Sequence, residues 1–166
     1  MYNSECMKSE INKVSSHYTQ NNKIFYNIAK PITRGGTTSG PGVRRSATAI
    51  KQILLDWCKS KTVEYENVKI DNFSTSWNNG LAFLALIHHF YPDSFSWDKV
   101  DERRRRENFQ LAFDLAEQKA DIAPLLDVED MVRMKKPDWK CVFTYVQSFY
   151  RKLRDHENNK HSYAQQ

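Results

Sequence analysis

Two histidines and two cysteines are the side chains of this sequence best suited to metal binding or nucleophilic catalysis. His88 and His89 are adjacent in an apolar segment, and no Cys, Asp or Glu lies three or four residues from either within it. A zinc site needs three or four ligands at suitable spacing, and a cysteine nucleophile needs a neighbouring base. Cys58 and Cys141 have no such base, so we expect inert buried thiols, no metal and no catalysis. The glycines match neither GxGxxG nor GxxxxGK[ST], so we expect no nucleotide cofactor.

Basic side chains offer a second kind of chemistry, the binding of acidic partners, and they occur in three clusters. The guanidinium groups of Arg103–Arg106 can make bidentate contacts with carboxylates or phosphates. Three acidic residues flank this run, so a solvated face with local ion pairs is the alternative. Lys135 and Lys136 form the second cluster, for which a solvated loop is the alternative. The candidate partner-binding residues are Arg103, Arg104, Arg105, Arg106, Lys135, Lys136, Arg151, Lys152 and Arg154.

The third basic cluster follows a bulky apolar stripe near the end of the chain. Arg151, Lys152 and Arg154 give this segment a pattern typical of calmodulin targets. The same cations also complement the carboxyl end of a helix whose stripe belongs to a core. Capture by calmodulin requires that helix to leave the core, and both alternatives stay open.

Ser46 is a candidate phosphorylation site. Arg44 and Arg45 precede it directly, and such an arrangement suits a basophilic kinase. A phosphate at the start of a helix would be favoured by the helix dipole and would attract the two arginines. The alternative is that Ser46 serves only as the N-cap of the first helix.

The positive charge of the chain is unevenly distributed. The 166 residues carry a formal net charge of +5, and residues 1–46 hold seven basic and two acidic side chains. Residues 47–166 hold 18 of each sign. Low hydrophobicity and the stretch RGGTTSGPG predict a disordered basic leader over residues 1–45. The balanced charge of the remainder argues against nucleic-acid binding, whereas a basic leader assists binding to an acidic filament.

Length, cysteine content and the terminal segments predict one intracellular domain. A chain of this length can form a normal core without disulfides. The three cysteines include no CxxC pair, and this favours a reducing compartment over a disulfide framework or a zinc site. Neither a signal peptide nor a lipidation motif is found, and the apolar segment is shorter than the roughly 20 residues of a membrane helix. We expect a cytoplasmic monomer with no membrane span.

Apolar spacing predicts the helices that position these side chains. Leu81–Tyr91 is apolar on every side and should therefore lie among other helices. A first helix begins near Ser46 or Thr48, a third is capped by Asp101, and a short one covers Leu125–Val132. The fourth main helix begins at Pro137, a residue favoured at the first helical position. The predicted core residues are Trp57, Trp77, Leu81, Phe83, Leu86, Phe109, Phe113, Trp139, Phe143 and Val146.

The sequence shows no strand pattern and no internal repeat. We therefore predict an all-α domain over residues 46–156, with four main helices plus short connecting helices. A flexible tail is expected over residues 157–166.

Five ordered segments resemble a calponin-homology domain of the smoothelin type. They are LLDWC (Leu54–Cys58), NFSTSWNNGLAF (Asn72–Phe83), RRRRENFQLAFDLAE (Arg103–Glu117), LLDVEDMV (Leu125–Val132) and PDWKCVFTYVQSFY (Pro137–Tyr150). Their length and order make the resemblance specific, and it covers about residues 49–153. Asn79 stands where the family commonly has Asp before the glycine, and asparagine preserves the capping ability.

The resemblance implies a non-catalytic cytoskeletal binding module. Strong filament binding in this family usually comes from two such domains in tandem, whereas this sequence contains one. We therefore expect a domain that docks on F-actin or on an actin-associated protein such as tropomyosin, located in the cytoplasm at the cytoskeleton. A calmodulin-binding signalling adaptor that uses the basic end of the last helix is the alternative. Nucleic-acid binding through the arginine run and the basic leader is a weaker third possibility.

Overall fold

The computed structural model describes residues 47–163, which form helices and turns without a strand. The helices are α1 (Ala47–Lys61), α2 (Leu81–Phe90), α3 (Arg105–Ala120), α4 (Val128–Arg133) and α5 (Trp139–Tyr163), with 3₁₀ turns at Thr75–Trp77, Pro92–Ser94 and Trp97–Lys99. The predicted all-α class with four main helices and short connecting ones is confirmed. The predicted leader and Ser46 lie outside the described residues. None of the described helices combines the length and apolar character needed to cross a membrane.

Helix α2 lies at the centre of the domain, in contact with α1, α3 and the first two 3₁₀ turns. Eight of its ten residues are buried, since its sequence is apolar on every side and only His88 and His89 interrupt it. Phe83 is fully buried within a group of aromatic rings. Its ring centroid lies 4.7 Å from that of Trp77 and 5.7 Å from those of Phe113 and Phe149. These contacts join α2 to α3 and α5.

Helices α1 and α5 run side by side in the same direction. Lys51 lies against Trp139 at the start of both helices, and Trp57 packs edge-on against Tyr150 further along, with ring centroids 5.1 Å apart. The apolar stripe of α5 is buried from Val142 to Leu153. Its buried apolar residues are Val142, Phe143, Tyr145, Val146, Phe149, Tyr150 and Leu153.

The burial of the predicted core residues differs from expectation at two tryptophans. Eight of the ten are buried: Trp77, Leu81, Phe83, Leu86, Phe109, Phe113, Phe143 and Val146. Trp57 is only half-buried. Trp139 is 38% exposed, so its assignment to the core was wrong. It lies in the first turn of α5, at the edge of the core, where one face of its ring is covered by a lysine instead of apolar neighbours.

Two helices begin later than the sequence predicts, because an aspartate carboxylate caps each of them. Helix α5 begins at Trp139 instead of Pro137, since the Asp138 carboxylate accepts the Lys140 backbone N–H at 2.7 Å. Helix α4 begins at Val128 instead of Leu125, since the Asp127 carboxylate accepts the Asp130 N–H at 3.0 Å.

Two further boundaries differ from the sequence prediction. Asp101 does not cap α3: its carboxylate accepts the Arg103 N–H at 2.9 Å, and the helix begins two residues later, at Arg105. Helix α5 continues through Tyr163, so residues 157–163 are helical where a flexible tail was expected.

Candidate interaction surface

Arg105 is a structural residue, in contrast to its predicted role in partner binding. Its guanidinium group donates to four backbone carbonyls: those of Asn78 (2.6 Å), Met131 (2.8 Å), Val132 (3.0 Å) and Met134 (3.1 Å). The last carbonyls of a helix have no intrahelical partner, and Arg105 supplies donors to those at the end of α4. The group is half-buried and fully engaged, so it is not available to a partner.

Arg103 and Arg106, two others of the arginine run, form local ion pairs. Arg103 pairs with Asp101 at 3.0 Å, and Arg106 pairs with Glu129 of α4. The hydrogen bonds from the Arg103 side chain and backbone lower the pKa of Asp101 below its usual value. Both pairs are exposed, so each contributes little to stability. The alternative of a solvated face with local ion pairs therefore describes these two residues.

Arg104 and Arg103 line a shallow cleft of about 650 Å³. The cleft is bordered by three basic and three acidic residues, together with Asn67, Leu81, Trp97 and Val100. Mixed charge of this kind does not select for an anion. Arg104 is exposed and has no carboxylate partner among the described residues.

The basic residues near the end of the α5 stripe contact their own domain. Lys152 donates to Asp121 at 2.7 Å, and this hydrogen bond lowers the pKa of the Asp121 carboxyl group. Arg154 donates to the Tyr150 hydroxyl at 2.6 Å and lies over that ring. Arg151 is partly exposed and is also engaged. A calmodulin-like capture of this segment would have to separate a fully buried stripe from the core.

Lys135 and Lys136 are exposed in the loop that leads into α5, and Lys51 of α1 contacts the first residue of that helix. The Lys51 ammonium of α1 is 3.2 Å from the centroid of the Trp139 ring, and the Lys140 ammonium is 5.9 Å from it. These distances are typical of cation–π contacts. We call Lys51, Trp139 and Lys140 the lysine–tryptophan patch.

His88, Cys58 and Cys141 are held within the folded domain. The Tyr65 hydroxyl and His88 Nδ1 are 2.8 Å apart and share a hydrogen bond between the long α1–α2 loop and α2. Cys58 is fully buried, and burial raises the pKa of its thiol. Burial also raises the pKa of Cys141. Among the side chains that the structure describes, those of residues 48–156, no three His, Cys, Asp or Glu residues are grouped closely enough to hold a metal ion.

Comparison with known families agrees with the helical architecture. The family model of the calponin homology (CH) domain matches residues 48–155. The chain belongs to the calponin homology family. This CH domain is similar to human smoothelin-like protein 1, with 51% identity over 127 residues, covering 72% of this chain and 26% of that protein. The expected resemblance to the smoothelin group is therefore confirmed.

Two other relatives share the CH region. Alpha-actinin A of Dictyostelium discoideum is 47% identical over 100 residues, covering 60% of this chain and 12% of that protein. Cytospin-A of Xenopus tropicalis is 46% identical over 101 residues, covering 61% of this chain and 9% of that protein. The chain thus spans about a quarter of smoothelin-like protein 1 and less of the other two.

The candidate residues of this CH domain do not form one site. In the arginine run, Arg105 binds backbone carbonyls, Arg103 and Arg106 form ion pairs, and Arg104 is exposed. Lys135 and Lys136 are exposed in the loop before α5. Sequence reasoning missed Lys51 and Lys140 as members of this patch. Lys140 adjoins Trp139 and could have been noticed, but Lys51 lies on another helix with no local signal. The prediction for Ser46 stays a prediction, since that residue lies outside the described ones.

Proposed function

We propose that this chain is a non-catalytic cytoskeletal module of the cytoplasm, whose CH domain docks on actin filaments or on actin-associated proteins. Membership of the calponin homology family carries the proposal. Similarity to a relative that is named for actin, alpha-actinin A, supports the filament as the partner. Tropomyosin is the actin-associated protein that we would test next.

The distribution of polar groups supports docking through a surface. Most aromatic side chains of α2, α3 and α5 lie in the core, while the lysines and arginines of the described domain are exposed or partly exposed. The net charge of +5 comes from residues 1–46, and a basic segment raises the local concentration of a chain near an acidic polymer. Docking by the folded domain, assisted by this charge, is the mechanism that we propose.

High-speed co-sedimentation with filamentous actin tests this function. We expect the full chain to pellet saturably at near-physiological salt, and to pellet more strongly at low salt because salt screens charge attraction over distances of about 8–10 Å. A variant lacking residues 1–45 should retain saturable binding with a higher Kd and a weaker dependence on salt.

Two outcomes would count against this mechanism. Loss of all pelleting at physiological salt would reduce the interaction to a charged segment that adheres to an acidic polymer. Binding by the full chain that is independent of salt would contradict the assistance that we assign to residues 1–45.

Calmodulin binding is the alternative, and replacement of Arg151, Lys152 and Arg154 by glutamate separates it from filament docking. We expect the triple variant to pellet with actin like the wild type, because these side chains already contact Asp121 and Tyr150 or are otherwise engaged. Titration of both proteins with calmodulin, with and without calcium, provides the second measurement. Tight calmodulin binding by the wild type that the triple variant loses would favour the adaptor function instead.

A further inference from the structure

We propose that Tyr65 is phosphorylated by a protein tyrosine kinase, and that the phosphate keeps the first part of the α1–α2 loop detached from α2. This modification does not depend on filament docking. In the transfer, Tyr65 Oη bonds to the γ-phosphorus of ATP while the bond from that phosphorus to the ADP oxygen breaks. The phenolic proton passes to the catalytic base of the kinase, and ADP leaves.

The residues around Tyr65 suit a kinase that recognises acidic side chains. Glu64 and Glu66 flank the tyrosine, and no lysine or arginine lies within three residues of it. Glu64, Glu66 and the neighbouring Val63 and Asn67 are all exposed. Carboxylates in these positions complement a basic substrate cleft, and complementary charge speeds encounter and orients the partner.

The backbone around Tyr65 forms turns instead of a helix or a strand. The Tyr65 N–H donates to the Thr62 carbonyl at 3.2 Å, and the Val68 N–H donates to the Tyr65 carbonyl at 2.9 Å. Both bonds close isolated turns, so the segment can become extended without the loss of a longer hydrogen-bonded element. Such segments belong to the parts of a protein that open locally at low free energy.

The Tyr65 side chain holds this segment against the domain. The residue is 8% exposed, and its hydroxyl lies 2.8 Å from His88 Nδ1 of α2. Its ring lies edge-on to that of Trp97, with centroids 4.4 Å apart. A kinase can therefore act only while the side chain is turned out, and the rate of phosphorylation follows the population of this open form.

The packed position of the Tyr65 oxygen cannot hold a phosphate. Phosphorylation replaces the phenolic proton with phosphorus, whose oxygens need the space that the His88 ring occupies 2.8 Å away. Burial and the neighbouring Glu64 carboxylate raise the pKa of Tyr65, because both disfavour negative charge on this oxygen. A phosphate carries about −1.5 to −2 charges at pH 7. The modified side chain should therefore remain outside.

Phosphorylation of the full chain in vitro tests the site. The probe is Mg-ATP with a tyrosine kinase that phosphorylates glutamate–tyrosine copolymers, and tryptic peptides are then quantified by mass spectrometry. Residues 62–69 form one such peptide with Tyr65 as its single tyrosine, and residues 70–99 form another with Tyr91. Tyr91 is more exposed but has no acidic residue directly beside it, so it is an internal control. We expect phosphate to enter the first peptide at least about fivefold faster.

The variant His88→Phe tests whether packing limits the reaction. It removes the hydrogen-bond partner of the Tyr65 hydroxyl and keeps an aromatic ring. We expect phosphorylation of Tyr65 to become about fivefold faster, since one hydrogen bond no longer holds the side chain in. A rate equal to that of the wild type would contradict this role of His88.

A double variant, Glu64→Gln/Glu66→Gln, tests the recognition of acidic neighbours. We expect it to slow phosphorylation of Tyr65 by about fivefold. The control Glu107→Gln/Glu117→Gln makes the same change in net charge on α3 and should alter the rate by less than about twofold. All four carboxylates are exposed, so both variants should fold, as thermal melting would verify.

Hydrogen–deuterium exchange of the phosphorylated and unmodified chains measures the detachment. We expect faster exchange in residues 62–69 of the phosphorylated chain and no change in residues 142–153, the buried stripe of α5. Slower exchange in residues 62–69 would mean that neighbouring cations hold the phosphate, and it would overturn the detachment. Absence of phosphate on Tyr65 in both the wild type and His88→Phe would overturn the site itself.

Discussion

Replacing Gly80 with alanine is expected to destabilise the CH domain by about 3 kcal/mol, the sum of backbone strain and overpacking. Gly80 precedes α2 with φ of +82°, a conformation that residues with a Cβ rarely adopt. A Cβ at this position would lie 2.8 Å from the Asn108 Cβ, and 3.2 Å from the Asn108 carbonyl carbon and the Phe109 nitrogen. The two longer contacts involve the backbone of α3, which cannot move without displacing the buried face of that helix.

Chemical denaturation of Gly80→Ala measures this effect, and Asn79→Asp is the matched control in the same turn. The Asn79 Oδ1 accepts the Leu81 N–H at 3.1 Å, and its backbone carbonyl accepts from Asn108 at 3.0 Å. Aspartate keeps both acceptors and places a negative charge at the start of a helix, so we expect a change within about 0.5 kcal/mol. If Gly80→Ala and the wild type unfolded at the same denaturant concentration, α3 would tolerate the extra methyl group.

The second large effect is expected for Arg105→Met, which keeps most of the apolar stem and removes the guanidinium group. Four carbonyl groups lose a charged donor, and a hydrogen bond to a charged group contributes about 1.5–3 kcal/mol. The site is only half-buried, so water replaces part of this loss. We expect a decrease in the free energy of unfolding of about 3 kcal/mol.

Arg104→Met is the control for this measurement, since Arg104 is adjacent and exposed. It should change the free energy of unfolding by less than about 0.5 kcal/mol. Arg105→Lys should recover only a minor part of the loss, because an ammonium group cannot reach four separated carbonyls as the planar guanidinium does. If Arg105→Lys were as stable as the wild type, a positive charge at this position would suffice, and the planar geometry of the guanidinium group would not be required.

Arg105 also links stability to the loop that carries Lys135 and Lys136, two of the candidate partner-binding residues. Its bond to the Met134 carbonyl fixes the backbone just before Lys135. At a temperature where Arg105→Met remains folded, we therefore expect weaker actin binding than for Arg104→Met. Unchanged binding would show that the order of this loop does not matter for docking.

Local patterns in the sequence determined the helices and most of the core. Leu81–Phe90 is apolar on all sides, and such a helix can be accommodated only inside a bundle. The spacing of Phe109 and Phe113, and of Phe143 and Val146, places each pair on one helical face, and all four are buried. These inferences succeeded because each depends on residues within a few turns of one another.

The helix ends were less predictable, since several side chains compete to cap each one. Asp127 and Asp138 cap their helices within the described structure, whereas the sequence placed the starts at Leu125 and Pro137. The difference of two or three residues is decided by which carboxylate reaches a free backbone N–H, and that depends on the path of the preceding loop.

The sequence by itself therefore determined the all-α class, the central helix and the likeness to the smoothelin group. Only the tertiary structure decided which basic side chains are free. Four consecutive arginines look equivalent along the chain, yet Arg105 points to carbonyls that lie up to 29 positions away. Lys51 and Trp139 meet although 88 positions separate them. Such pairings depend on how the helices pack, and no local pattern of residue types encodes that geometry.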